Sequence, residues 1–235
     1  RDIYLRLFID EDDIWTWGDS VPTGPYKYPK IVDNGIDMEQ KYNPTSGLIP
    51  DENGVYTFDG FNFVKFKGTK STSFTIAMSI KPDRAQNMAI STIEEIGDYN
   101  IQDRDLRIDA DGRIRARAFD GRDRREKVLV SSSVISTDKW THIVYSGDGT
   151  NLYLYINGKL EAQMQGQGYT GYATDTNLIV GRVVKSLYEG KIGDIELHEY
   201  CATETMAREM YKRSLAYDNE IYVFDGETPG VKLPG

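Results

Sequence analysis

The sequence has little cysteine, little histidine and no long apolar run. Its 235 residues include one cysteine, Cys201, so no disulfide can form within the chain. The two histidines, His142 and His198, offer no Cys/His cluster of the kind that holds zinc. No apolar stretch approaches the roughly 18–20 residues that a membrane-spanning helix needs, and no segment has the composition of a signal peptide. We therefore expect no structural zinc and no membrane span.

An excess of basic residues is also missing. The formal net charge is −9, with 37 acidic against 28 basic side chains. Nucleic acids and anionic membrane surfaces attract proteins through basic patches, so we expect neither as a general partner. The acidic balance requires no partner of its own, because net charge also keeps a protein soluble.

The strongest positive signal is the stretch from Ser131 to Lys159, which predicts paired strands. Residues 140–145 and 152–156 both alternate between two faces, with the period of two that a strand requires. Ser146-Gly147-Asp148-Gly149 lies between the two runs and supplies turn residues. Asn157-Gly158 ends the second run with a dipeptide that favours a tight hairpin turn.

These residues resemble a known family. The run W-x-H-I-V at 140–144 and the run L-x-L-Y-I-N-G-K at 152–159 are similar to the central hairpins of laminin-G-like, concanavalin A-like jelly rolls, which include the pentraxins. The resemblance continues in Phe58-Asp59-Gly60, in the strand pattern at 73–81, in LIVGR at 178–182 and in EGKIGDIELHEY at 189–200. It implies an all-β fold, an antiparallel two-sheet jelly-roll β-sandwich with one short C-terminal helix.

The resemblance and the local sequence pattern together give a domain organisation. We expect a single jelly-roll domain over residues 1–213, beginning with a strand at 3–9 and carrying a long irregular insertion at 19–53. Residues 214–235 are expected to form a C-terminal extension with one extra strand at 220–225. Animal laminin-G and pentraxin domains usually carry a disulfide, so its absence points to a bacterial or phage type or to a reducing compartment at synthesis.

Two groups of residues are candidates for ligand contact. The Gly-rich segment 165–177 predicts a loop at the rim of the sandwich, where recognition usually occurs. Tyr169 and Tyr172 would offer stacking faces there, and Asp175 would accept hydrogen bonds from hydroxyl groups. Trp15 and Trp17 lie on the same side of an extended segment. They form an aromatic platform for a sugar or a subunit contact, or else a flap over the protein's own core.

A stripe of arginines allows two interpretations. Arg113, Arg115 and Arg117 share one face of a predicted strand, within a segment that holds eight arginines between 104 and 125. The first interpretation is a site for an acidic glycan, because guanidinium groups bind carboxylate and sulfate well. The second is a solvated face paired with the neighbouring acids, which nearly balance the arginines.

No catalytic constellation emerges. Laminarinase-type glycosidases share this fold class, and a retaining mechanism needs two carboxyls ~5–5.5 Å apart. Asp194, Glu196 and His198 share a strand face, but their order differs from the Glu-x-Asp-x-x-Glu motif of those enzymes. Asp109-Ala110-Asp111-Gly112 does not fit an EF-hand and predicts a hairpin turn. We expect no catalytic or metal-ligating residues, although calcium stays open because many relatives bind it through rim loops.

The sequence therefore predicts a non-enzymatic surface recognition domain that binds a glycan or a protein through its rim loops. The main alternative is a structural or decoration protein of a phage virion or cell-surface assembly, working as a homo-oligomer. A glycoside hydrolase of the same fold is the third hypothesis. The first two imply an extracellular, cell-surface or virion-surface location.

Overall fold

The computed structural model describes residues 48–217, with gaps at 97, 121–124, 169 and 173. Residues 98–101 and 120 are described by their backbone alone. Three predicted features lie outside the described residues, namely the strand at 3–9, most of the insertion at 19–53 and the strand at 220–225.

Within the described ranges, two six-stranded antiparallel sheets face each other. The first consists, in spatial order, of β1 (Tyr56–Asp59), β14 (Glu189–His198), β3 (Ser73–Pro82), β8 (Thr141–Asp148), β9 (Asn151–Ile156) and β10 (Lys159–Gln165). The second consists of β2 (Val64–Lys67), β11 (Thr176–Val180), β4 (Met88–Glu95), β5 (Asp98–Ile108), β6 (Arg113–Asp120) and β7 (Arg125–Val134). A small hairpin of β12 (Arg182–Val183) and β13 (Ser186–Leu187) follows β11. The predicted antiparallel jelly-roll sandwich is confirmed.

The hydrophobic core lies between the two sheets and is supplied by alternate strand residues. In β3, Phe74, Ile76 and Met78 are fully buried members of this core. The Phe74 ring meets the Tyr145 ring edge to face, with 5.2 Å between centroids. Burying a side chain of this size contributes roughly 1.5–3 kcal/mol, so the inward-facing residues of each strand fix which face points inside.

β8 and β9 form the predicted central hairpin. The first strand runs through Asp148, into the segment that the sequence predicts as turn, and the chain reverses around Gly149, whose φ is +85°. Asn157 and Gly158, with φ values of 49° and 72°, then connect β9 to β10. Two consecutive left-handed residues are what a type I′ turn requires, so this turn prediction is confirmed.

Residues 54–67 form a strand, a turn and a strand, and the two strands belong to different sheets. β1 pairs with β14, and β2 pairs with β11. The chain crosses between the sheets over residues 60–63, where the alternation in the sequence slips. Gly181 leaves room for this crossing, since a Cβ atom there would lie 2.5 Å from the Phe58 ring.

Among residues 48–217 the structure has one helix, α1 (Glu204–Arg213), which covers the outer face of the first sheet. Thr203 caps it, because its hydroxyl oxygen accepts a hydrogen bond from the Met206 amide at 3.3 Å. Ala207 and Met210 are buried and form a second apolar cluster with Ala77, Val144, Tyr155 and Ala202. The predicted C-terminal helix is confirmed. In the part of the chain that the structure describes, no helix has the length and hydropathy to span a bilayer.

The strands β7 and β10 lie at neighbouring edges of the two sheets. Glu161 of β10 accepts hydrogen bonds from the Ser133 amide at 2.8 Å and from the Ser132 hydroxyl at 3.1 Å. The Ser133 hydroxyl donates to the same carboxylate. One glutamate therefore joins the two sheets along this side.

Three loops meet at one end of the sandwich, called the rim end below. They are residues 68–72 after β2, residues 166–175 after β10, and residues 199–203 after β14. The predicted recognition loop is the second of these.

Candidate functional site

A pocket of about 660 Å³ opens at the rim end. It lies between the 68–72 loop and the segment where the 166–175 loop enters β11. The residues that line it are Lys67, Gly68, Thr69, Lys70, Ser71, Ile96, Asp175, Thr176, Asn177 and Glu199. Eight of these ten have a charged, hydroxyl or amide side chain, so the lining is polar.

Main-chain hydrogen bonds hold the walls of this pocket together. The Gly68 amide donates to the Thr176 carbonyl at 2.8 Å, and the Ile96 amide donates to the Asp175 carbonyl at 2.8 Å. Gly68 is required at its position, because a Cβ atom there would lie 2.8 Å from the backbone of Thr176. The walls thus continue the pairing of β2 with β11, and the site rests on sheet elements rather than on free loops.

Two polar contacts lie at the mouth of the pocket. The Lys70 ammonium is 3.3 Å from the Asp175 carboxylate, and both side chains are exposed, at 43% and 84%. The Thr69 hydroxyl donates to the Glu199 carboxylate at 2.7 Å. An exposed ion pair of this kind contributes only about 0–1 kcal/mol. Hydroxyl groups of a ligand can therefore replace it at little cost.

Buried polar atoms stand behind the mouth. Thr176 and Asn177 are 3% and 5% exposed, and among the described residues the Thr176 hydroxyl and the Asn177 amide oxygen have no hydrogen-bond partner. A buried polar group left unpaired costs about 1–3 kcal/mol. An ordered water or a ligand group in the pocket would remove that cost.

The structure separates the residues of the predicted contact set. Asp175 lies in the pocket. Tyr172 does not offer a stacking face, since its side chain is 8% exposed and belongs to the hydrophobic core. The expectation of an exposed Tyr172 is therefore wrong, because the loop crosses the open end of the sandwich and Tyr172 anchors it inside. Tyr169, Trp15 and Trp17 lie outside the described residues, and their contacts stay predictions.

The arginine stripe lies on the outer face of β6, and each of its members meets a carboxylate. The contacts are Arg113 with Asp111 at 3.2 Å, Arg115 with Glu126 at 3.1 Å, and Arg117 with Asp105. This pairing agrees with the second interpretation, a face balanced by its own acids. An acidic glycan would have to displace these carboxylates, so the stripe does not form a ready anion site.

The first acid considered for hydrolysis is engaged in structure. Asp194 accepts hydrogen bonds from the Ser79 hydroxyl at 2.7 Å and from the Leu215 amide at 2.6 Å. Its φ of 51° belongs to a bulge in β14 that shifts the register with β3. Asp194 therefore fastens the segment after α1 to the first sheet.

The second acid, Glu196, lies close to α1 rather than in an open cleft. It shares a hydrogen bond of 2.9 Å with His198 and lies 3.7 Å from Arg213. Burial acts to raise the pKa of Glu196, but the hydrogen bond with His198 and the charge of Arg213 outweigh it and lower the pKa to about 2. A carboxylate held ionised in this way is unsuited to act as a general acid near neutral pH.

Metal and thiol chemistry find no support in the described ranges. No three Asp, Glu, His or Cys side chains gather there as a metal site. The Gly112 amide donates to the Asp109 carbonyl at 3.1 Å, and Gly112 has a φ of +80°, so the predicted hairpin turn is confirmed. Burial raises the pKa of the Cys201 thiol, which makes a reactive thiolate unfavourable.

Sequence reasoning found one wall of the pocket and missed the other. Lys67 ends a strand that the alternation predicts and Lys70 follows it, but the neighbouring sequence does not show which residues lie opposite these lysines. Glu199 is separated from its partner Thr69 by 130 residues. The available signal was Gly68, a glycine at the point where a predicted strand ends, which indicates a close backbone approach.

Solved structures with this fold include several binding domains. The native heptameric SAP-like pentraxin of Limulus polyphemus has a TM-score of 0.51 at 14% identity, with 66% of this chain and 79% of the pentraxin covered. Domain 4 of AbnA, a GH43 extracellular arabinanase of Geobacillus stearothermophilus, solved in complex with arabinotriose, has a TM-score of 0.51 at 14% identity, covering 67% and 76%. The botulinum neurotoxin serotype G binding domain has a TM-score of 0.53 at 15% identity, covering 71% of this chain and 44% of the toxin domain. At these identities the likeness shows the fold alone.

The sequence comparison reaches the family level. No curated protein is similar enough in sequence to count as a relative. The family model described as the concanavalin A-like lectin/glucanases superfamily matches residues 57–206, from within β1 to within α1. This match covers more than half of the 235 residues. The chain belongs to the concanavalin A-like lectin/glucanases superfamily.

Proposed function

We propose that this chain is a non-enzymatic recognition domain that binds a hydroxyl-rich glycan in the rim pocket. The observation that carries the proposal is the pocket itself, whose walls are fixed by main-chain pairing and whose mouth holds weakly paired polar groups. Carboxylates accept hydrogen bonds from sugar hydroxyls, and ammonium groups donate to them. Asp175, Glu199, Lys67 and Lys70 supply both kinds of group.

The charge of the pocket favours a neutral ligand. Two acids and two lysines line it, so its formal charge is balanced. The nearby arginine stripe is likewise balanced by carboxylates. An acidic glycan would gain little from either surface, and a neutral glycan would be repelled by neither.

The comparisons support a binding role over a catalytic one. Among the structural neighbours are a domain described in complex with arabinotriose and a toxin binding domain. The two acids that could suggest a hydrolase, Asp194 and Glu196, hold the C-terminal segment instead. A binding domain of this kind would work at a cell or particle surface, and we propose that location.

A glycan-array screen of the purified chain, followed by titration of the best hit, tests the proposal. Asp175→Asn is expected to weaken binding about tenfold, since one charged acceptor is worth about 1.5 kcal/mol. Asp111→Asn is the matched control, because Asp111 is also an exposed acid paired with a base, Arg113, at 3.2 Å. It lies at the other end of the sandwich and is expected to leave the affinity unchanged.

Two further conditions sharpen the screen. With only two carboxylates at the pocket, we expect binding to persist in chelator and to change little with salt. Loss of binding on chelation would assign a calcium-dependent site. Equal losses in the two Asp variants, or silence across the array under every condition, would overturn the rim-pocket proposal and favour the assembly role.

A further inference from the structure

A buried cation lies directly beneath the rim pocket. Arg104 of β5 has zero exposure. Its guanidinium stands 4.3 Å above the ring of Phe74, a member of the hydrophobic core, and 3.5 Å from the carboxylate of Asp103. Burying a guanidinium is costly unless it is paired and hydrogen-bonded. We therefore expect the buried Arg104 to have a structural role that offsets this cost.

The same side chain contacts both loops that frame the pocket. The Arg104 guanidinium donates to the carbonyl of Ser71, in the 68–72 loop, at 2.6 Å. On the other side it lies against Gly168, in the 166–175 loop, where an added Cβ atom would be 2.2 Å from the Arg104 Nε atom. Ser71 lines the pocket, and the Gly168 loop leads to Asp175.

The backbone shows how Arg104 comes to point inward. Its φ of 55° is a left-handed value that non-glycine residues adopt with strain. The pairing of β4 with β5 changes register between Ser91 and Ile93, opposite this part of β5. Arg104 has the same parity along β5 as the core residues Leu106 and Ile108, so its charged side chain also lies on the side that faces the other sheet.

We propose that Arg104 is a positioning residue that sets the separation of the two walls of the rim pocket. It joins the 68–72 loop to the 166–175 loop from below, so that displacement of one loop is transmitted to the other. The inference rests on the proposed function only for what the pocket binds. The coupling itself is a property of the free protein and is measured without a ligand.

Hydrogen–deuterium exchange on the free chain tests the coupling. Gly168→Ala puts a methyl group against the guanidinium, and it is expected to raise amide exchange about tenfold in residues 70–73, which span the end of the other loop and the first residue of β3. Gly166→Ala is the matched control in the same loop. Its Cβ atom would meet Leu152 and Lys127 instead of Arg104, so exchange in residues 70–73 is expected to stay at the wild-type value.

Arg104→Met and Arg104→Lys complete the test. Arg104→Met keeps an apolar side chain of similar length but removes the N–H donors, so amide exchange is expected to rise in both loops together. Arg104→Lys keeps the positive charge and is expected to restore part of the protection against exchange. If Arg104→Met does not fold, the two glycine variants decide alone. The proposal is overturned if Gly168→Ala leaves residues 70–73 unchanged, or if both glycine variants raise their exchange equally. Failure of glycan binding would not bear on either result.

Discussion

His142 shows how the surroundings of one side chain set its charge. Its ring is buried between β8 and α1, with its centroid 6.3 Å from that of Tyr211. Among the described residues neither ring nitrogen has a hydrogen-bond partner. Burial lowers the pKa of His142 to about 4, with Glu196 opposing this effect and Arg213 adding to it. The imidazole is therefore neutral at neutral pH.

This burial predicts a pH dependence of stability. In the unfolded chain His142 binds a proton when the pH falls below its ordinary pKa of 6.5. In the folded chain it binds that proton only when the pH falls to its lowered pKa of about 4. Stability is therefore lost as pH falls from 6.5 to 4, by on the order of 3 kcal/mol. His142→Phe is expected to remove this part of the loss. Urea unfolding at a series of pH values from 8 to 4 measures the free energy of unfolding of the wild type and of His142→Phe. If the two proteins lose the same amount of stability over this range, His142 is not the source of the loss.

At the scale of elements, the cap of α1 gives a second prediction. Thr203→Ala removes the hydroxyl that accepts from the Met206 amide, and it is expected to lower the free energy of unfolding by about 1 kcal/mol. Thr205→Ala, two residues further on and exposed, removes the same group without uncapping the helix. It is expected to change stability by less than about 0.5 kcal/mol. Chemical denaturation of both variants distinguishes a cap from a general effect of losing threonine.

The elements also show what the sequence can predict. β3, β8 and β9 alternate, so their faces are predictable from local pattern, as is the pairing of β8 with β9 through a short turn. β5 is not, because Asp103, Arg104 and Asp105 are all buried and break the expected contrast between faces. The residues of the rim pocket also differ in how far the sequence predicts them. Asp175 lies in a loop of recognisable composition, whereas Glu199 and Lys70 join it only through closure of the sandwich.

At the scale of the whole molecule, strands far apart in the chain are neighbours. β1 pairs with β14, and β2 pairs with β11. Folds dominated by such distant pairings fold slowly, in roughly milliseconds to seconds, because loop closure precedes the contacts that stabilise it. Stopped-flow fluorescence is expected to show refolding in this range, unchanged by reductant because Cys201 is the only cysteine. Complete refolding within microseconds would contradict this view of the topology.

The glutamate that joins β7 to β10 has a consequence for crowded solutions. The edge of a sheet offers unpaired backbone groups to which another chain can add a strand, and this is a common route to aggregation. Glu161 occupies the Ser133 amide with its own carboxylate. It also places a negative charge where a second molecule would have to dock. This part of the β7 edge is thus occupied from within the same chain, which lowers its capacity to add a strand from a second molecule and helps a β-rich protein remain dispersed at high concentration.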